Sequence, residues 1–292
     1  MKIIEPKIEL IEQGENIVSH VARCARVCYK KEKGNDEKLV ENLYKNHHWS
    51  MFRHETHYCV IPTDEEITVW LHSLYQVSKV MNQKLVGIDI DLLANYYPKS
   101  FIVVFNGNWK LDNINFANQL SNYEISANEF ANYSERAFEM IRYTFKITTQ
   151  ISTSRELNRV SPNNIAEQST RYVYEDGTIC RPHWMTDEEV DYLNNKPIFE
   201  EWCNSHKKAS IFRDSCNDSF NKYKLLINNG MSRQDARGVL PLDTATEVVY
   251  TYSIDEWRHI IELRADAKHA HPNAVIIANM IKKELNGLGY DL

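Results

Sequence analysis

The chain has 292 residues, with 34 lysines and arginines against 40 aspartates and glutamates, a formal net charge of −6, and 43% apolar and 25% charged residues. That balance suits a globular protein with a substantial core, and the acidic surplus excludes a general nucleic-acid binder, which carries a basic one. Six cysteines (Cys24, Cys28, Cys59, Cys180, Cys203, Cys216) without a CxxC pair read as reduced thiols. The opening MKIIEPKIELIEQ lacks a signal-peptide core and no apolar run reaches membrane-spanning length, so the expectation is a soluble cytoplasmic protein that engages neither membrane nor nucleic acid.

In chain order, residues 15–31 and 36–47 suit helices. HYCVIP (57–62) reads as a short strand ended by Pro62. Residues 64–96 read as a fairly apolar helical stretch broken at YYPKS (96–100). SFIVVF (100–105) is continuously apolar, as expected of a strand covered on both faces. Residues 107–141 read as helical in pieces. In RYTFKITTQIS (142–152), Tyr143, Phe145, Ile147 and Ile151 alternate with Thr144, Lys146, Thr148 and Gln150, the period of a strand. STSRELNRV (152–160) can start a helix capped by Ser152 or Ser154 and limited by Pro162. Residues 194–229 read as one long polar helical region, TEVVYTYS (246–253) as a strand, and 254–266 and 273–287 as helices. No repeat or linker interrupts the chain. The expectation is a single mixed α/β (α+β) domain over 1–292, with helices around a central sheet of non-contiguous strands.

In IDEWRHIIELRAD (254–266), Trp257, Ile260 and Ile261 fall at i, i+3 and i+4, and Arg264 at i+7 lies on the same inward stripe. A buried guanidinium must find an anion or several acceptors, and an ion pair with a carboxylate is the plainest partner. Arg237, before Gly238 and Pro241, complements a helix C-terminus, and Arg159 suits an i, i+3 pair with Glu156. Arg159, Arg171, Arg237 and Arg264 all sit at element ends or on inward faces. Converging guanidiniums fit a nucleotide phosphate or a carbonyl on which negative charge develops. The stretch HHWSMFRHETHYC offers His47, His48, His54, His57 and Cys59, and HAH adds His269 and His271. HETH is one residue short of the HExxH spacing, so no metal site is expected.

EQSTRY (167–172) resembles the signature of the flavin-dependent thymidylate synthases, in which Arg-His-Arg precedes seven residues, a Ser and an Arg-Tyr pair. Here Arg159 takes the first arginine, Pro162 to Gln168 the seven residues, then Ser169, Arg171 and Tyr172. ARVCY (25–29), MFRHETHY at His54, FIVVFNGNW, FKITTQISTSREL, ARGVLP and EWRHIIELRADAKHAHP resemble further blocks of the family in the same order. The stretch of about 63–140 resembles an insertion found in its longer members.

The resemblance implies reductive methylation of dUMP to dTMP, with methylenetetrahydrofolate and NADPH as co-substrates and FAD as cofactor. It also implies a homotetramer with sites at subunit interfaces. Carried over, Glu156, Arg159, Glu167, Gln168, Ser169, Thr170, Arg171 and Arg237 hold the nucleotide, and Arg264 is catalytic, stabilising the polarised pyrimidine. His54, Thr56, Arg159, Ser161, Glu167, Ser253, Asp255 and His259 hold the flavin. The chain departs from the family pattern in Arg159-Val160-Ser161, in Asn164 and Ala166, and in His259 where an asparagine is usual. The nucleotide-side residues are retained better than the flavin-side ones. That asymmetry leaves two alternatives open: methylation or hydroxymethylation of UMP or dCMP, and a nucleotide-binding homologue without catalysis.

Overall fold

The computed structural model describes residues 1–14, 16–96 and 98–292. The expected helix start at Glu15 and the Tyr97 part of the YYPKS break lie outside the described residues. The strands are β1 (Lys2–Ile4), β2 (Lys7–Ile11), β3 (Thr56–Pro62), β4 (Ile88–Leu93), β5 (Ser100–Asn106), β6 (Glu124–Ile125), β7 (Arg142–Gln150), β8 (Ile165–Glu167), β9 (Thr178–Cys180) and β10 (Ala245–Ser253). They form two four-stranded sheets, in the orders β2-β7-β10-β8 and β4-β5-β3-β6, and a parallel pair β1-β9.

The expected mixed architecture is present, with its strands divided between two four-stranded sheets and the β1-β9 pair. β3 to β6 build the second, mostly from the expected insertion. Residues 88–93 pair as a strand with β5 and are not helical. Ile88 and Ile90 are buried and alternate with Asp89 and Asp91, a period of two inside a stretch apolar enough to suggest a helix. β5 is buried along its whole length, as its continuous apolar run requires. The expected helix over 194–229 is also corrected. It is divided into Glu200–Ser205 and Lys207–Asn228, and the preceding helix Asp187–Asn195 stops before Pro197, whose ring disfavours helical backbone in the residue ahead of it.

The strand expected from the 143–151 alternation is β7. β7 and β10 pair antiparallel over nine residues each, from Ala245 opposite Gln150 to Ser253 opposite Arg142. Phe145, Ile147, Val248, Tyr250 and Tyr252 meet Trp257, Ile260 and Ile261 of the Ile254–Ile261 helix in the main core. Ile277, Ile281 and Leu285 of the Pro272–Gly287 helix close it. Trp257 Nε1 donates to Tyr143 O at 3.1 Å, fixing the helix to the sheet. At about 3.4 Å per residue, the two ends of this central pair stand roughly 27 Å apart.

Each end runs directly into a helix. Gln150 caps Ile151–Leu157 without a side-chain bond, so neither Ser152 nor Ser154 is the cap. Ser154 Oγ instead lies 2.7 Å from Glu167 Oε1. At the other end Ser253 and Glu256 form a reciprocal capping box for Ile254–Ile261. Among the described residues no helix is long and apolar enough to cross a membrane.

Candidate active site

Two clefts at the ends of the central strand pair hold most of the expected residues. The first, about 380 Å³, opens where Arg142 stands opposite Ser253. Arg159, Ser161, Pro162 and Asn164 line one side, Ser253, Asp255, Glu256 and His259 another, and Lys84 to Asp89 of the second sheet's connection a third. This Ser161 cleft gathers Arg159, Ser161, Ser253, Asp255 and His259 of the expected flavin set. The capping box explains the last group: Ser253 Oγ accepts from Glu256 N at 3.3 Å and Glu256 Oε2 accepts from Ser253 N at 3.1 Å. The helix therefore starts at the cleft's edge, and Asp255 and His259 face solvent there. Val160 is buried in the main core, which gives this position an apolar role.

His54 and Thr56 do not reach either cleft. His54 is fully buried, with Nδ1 2.8 Å from Thr251 Oγ1, and Thr251 Oγ1 lies 2.7 Å from its cross-strand neighbour Thr144 Oγ1. Thr144 Oγ1 is 3.4 Å from His20 Nε2, closing a polar chain inside the protein. Burial lowers His54 to about 3 and His20 to about 4, so both rings are neutral at pH 7. Thr56 N donates to Gln13 Oε1 at 2.8 Å, and Thr56 Oγ1 accepts from Arg142 at 3.4 Å. Neither residue lines the cleft, because His54 is held by Thr251 and Thr56 by Gln13 and Arg142.

The second cleft, about 560 Å³, is lined by Ile151, Arg155, Glu167, Gln168, Ser169, Thr170, Arg237, Gly238 and Leu240 to Leu242. This Ser169 cleft collects most of the expected nucleotide set. Arg237 donates to Thr170 Oγ1 at 3.1 Å, and Arg171 N donates to Ser169 Oγ at 3.3 Å. The Gln168 amide donates to the buried Glu175 at 3.1 Å. Glu167, assigned by resemblance to both ligands, lies in this cleft. Burial raises its carboxyl above the usual range, against the hydrogen bonds of Ser154 and Thr246. Arg171 is exposed, 3.5 Å from Gln234 Oε1 and stacked over the Tyr172 ring at 5.4 Å.

Glu156, Arg159 and Arg264 form a third group. Arg264 is buried on the expected inward stripe. Its Nε donates to Glu156 O at 2.7 Å and its Nη1 to Leu263 O at 2.9 Å, while Nη2 lies 3.3 Å from Glu156 Oε2. Glu156 also takes Arg159 at 3.4 Å, as the i, i+3 spacing implies. Burial and the nearby Arg159 lower the Arg264 value, with Glu156 opposing them.

Within one chain, therefore, Arg237 lines the Ser169 cleft, while the exposed Arg171 bonds Gln234 and Arg264 pairs with Glu156, neither of them lining it. The three do not share one cavity within a single chain, and the expectation of sites at subunit interfaces does not require that they should.

Among the residues of the Ser161 cleft that escape a reading of the sequence are Arg142, Asp89, Asn106, Lys84 and Glu256. An arginine at the first position of an otherwise half-buried strand was the available signal. His57 sits between Glu55 (2.6 Å) and Glu124 (2.7 Å), with Lys110 3.2 Å from Glu55. Burial opposes its charge, but the bonds to Glu124 and Glu55 raise it above the usual histidine value.

Residues 112–288 match the family described as thymidylate synthase complementing protein. The chain is 27% identical over 154 residues to the flavin-dependent thymidylate synthase of Thermosipho melanesiensis, covering 51% of this chain and 67% of that protein. It is 29% identical over 154 residues to the protein of the same description from Wolbachia pipientis wMel, covering 50% and 53%. For that of Pyrococcus furiosus the figures are 26% over 132 residues, 44% and 49%. The crystal structure of a UMP/dUMP methylase, PolB from Streptomyces cacaoi, bound with 5-Br dUMP, aligns over 99% of this chain and 93% of that one. The identity is 16% and the TM-score 0.45.

Proposed function

Because this chain belongs to the thymidylate synthase complementing protein family, we propose that it is a flavin-dependent enzyme that methylates dUMP reductively to dTMP, with methylenetetrahydrofolate and NADPH as co-substrates. The observation that carries this reading is the sorting of the expected residues. Most flavin-side positions line the Ser161 cleft and most nucleotide-side positions line the Ser169 cleft.

The Ser161 cleft suits FAD by the chemistry of its walls. Leu85, Val86, Ile88, Val104, Met140 and Pro162 offer an apolar face, and Arg142, Arg159, Ser161 and Ser253 offer donors, the combination a planar ring with a phosphate arm needs. When bound, the flavin supplies hydride transfer. In the Ser169 cleft Arg237 and Arg155 supply charge for the nucleotide phosphate, and Ser169 and Thr170 supply hydroxyls. Arg264 reaches the pyrimidine from a second copy of the chain. Glu156 O and Leu263 O hold its guanidinium in place, so it meets negative charge developing on the ring without reorganising. A homotetramer with sites shared between copies reunites what the central strand pair keeps apart.

The test is tritium release from [5-³H]dUMP by flavin-loaded protein with methylenetetrahydrofolate and NADPH, run beside UMP and dCMP. Release from dUMP, with a visible flavin spectrum, is expected. No release from any of the three rejects catalysis, and turnover of UMP or dCMP in preference to dUMP rejects the assigned substrate.

A further inference from the structure

The Ser161 cleft holds three arginine or lysine cations, and their partners differ. Lys84 Nζ lies 3.4 Å from Glu256 Oε1, and Arg159 Nη2 lies 3.4 Å from Glu156 Oε2. Arg142 forms no such ion pair among the described residues. Its Nη2 donates to Arg53 O at 3.3 Å and Thr251 O at 3.1 Å, and its Nη1 to Thr56 Oγ1 at 3.4 Å. All three acceptors are uncharged. Glu256 and Asp89 of the same cleft act on Arg142 only through space; enclosing a cation without a directly paired anion is costly, so a cleft that opens onto such a cation favours an anionic guest.

The neighbouring helix cannot take that part. The positive end of Ile254–Ile261 already carries Asp255 and Glu256 in its first turn. Ser161, on the opposite wall, stands where the resembled signature carries an arginine. Arg142 enters the same cleft from β7, at the point where the chain returns from the second sheet.

We infer that Arg142 anchors the pyrophosphate of a flavin dinucleotide in the Ser161 cleft, supplying from β7 the charge that Ser161 does not. This rests on the reading of that cleft as the flavin site. Arg142 is a binding residue, with three hydrogen bonds that set its direction and no carboxylate in direct contact with it among the described residues.

The experiment compares dissociation constants of FAD and riboflavin, which share the ring but not the phosphates, by flavin fluorescence. In Arg142→Gln, FAD binding weakens roughly 10- to 100-fold while riboflavin stays within about twofold, the loss expected of a charged hydrogen bond. Ser161→Arg added to that variant recovers FAD affinity. Ser161→Asp alone leaves the bonds of Arg142 in place, puts a carboxylate in the cleft and reproduces the selective loss; it decides the matter if Arg142→Gln does not fold. Unchanged FAD affinity, or equal losses for FAD and riboflavin, overturns the inference and leaves Arg142 a tie between Arg53, Thr56 and Thr251. If the wild-type protein binds neither flavin, the flavin reading fails by itself, and ADP becomes the probe. Binding of ADP that depends on Arg142 then upholds the anion anchor, and no binding of ADP removes it.

Discussion

Replacing His54 by glutamine tests whether the buried His54–Thr251–Thr144–His20 chain is neutral in the folded protein. A glutamine amide can keep the hydrogen bond with Thr251 Oγ1 but cannot titrate. Burial lowers the His54 value from 6.5 to about 3. Between pH 7 and pH 5 an unfolded histidine goes from about one-quarter protonated to almost fully protonated, whereas the folded ring stays neutral. The unfolded state therefore binds more protons, and stability falls as pH falls below 6.5. Integrated over that window, the loss is about 2 kcal/mol for His54. His20, lowered to about 4, adds about the same.

His57 acts in the opposite sense. Its raised value contributes stability present at low pH that is lost as pH rises through the folded value. It is common to both proteins, so subtraction removes it. Urea denaturation of wild type and His54→Gln at pH 7 and pH 5, followed by far-UV circular dichroism, reads the difference directly. Wild type should lose about 2 kcal/mol more than the variant across that interval. Equal losses would refute the neutral, buried assignment.

Three other outcomes follow from the same geometry. Mixing separately inactive Arg237→Ala and Arg264→Ala proteins should restore tritium release, because hybrid sites draw each arginine from a different copy; no recovery in mixed oligomers would place both in one chain's site. Glu156→Gln removes the carboxylate beside Arg264 and should lower kcat about 10- to 100-fold, with KM for dUMP changing less; an unchanged kcat would show that Arg264 needs no such support. Gly107→Ala places a Cβ 2.2 Å from Glu55 Oε2 and 2.8 Å from the Phe52 carbonyl. It should cost about 1–3 kcal/mol of stability by overpacking, read as a lower urea midpoint, and an unchanged midpoint would mean the Glu55–His57 cluster moves freely.

Local order determined much of this protein. The alternation of Tyr143, Phe145 and Ile147 with Thr144, Lys146 and Thr148 is the pattern of β7, since side chains of a strand point alternately to two faces. The stripe of Trp257, Ile260, Ile261 and Arg264 predicted a buried guanidinium, which the structure pairs with Glu156. The residues of the resembled signature fall mostly into two clefts, the Ser161 cleft and the Ser169 cleft. Short edge strands such as β8 and β9 were not legible, because three residues carry too little period to be told from a loop.

Tertiary structure alone decided which of these residues meet. Antiparallel pairing of β7 with β10 puts Arg142 beside Ser253, more than a hundred positions away, and makes it a wall of the Ser161 cleft. The same pairing sends the Ile151–Leu157 and Ile254–Ile261 helices off opposite ends of the sheet. The buried chain from His54 to His20 likewise exists only because Thr144 and Thr251 fall opposite each other in register. Sequence sets side-chain chemistry and local period. Convergence depends on strand register and helix packing, which arise from contacts between residues distant along the chain.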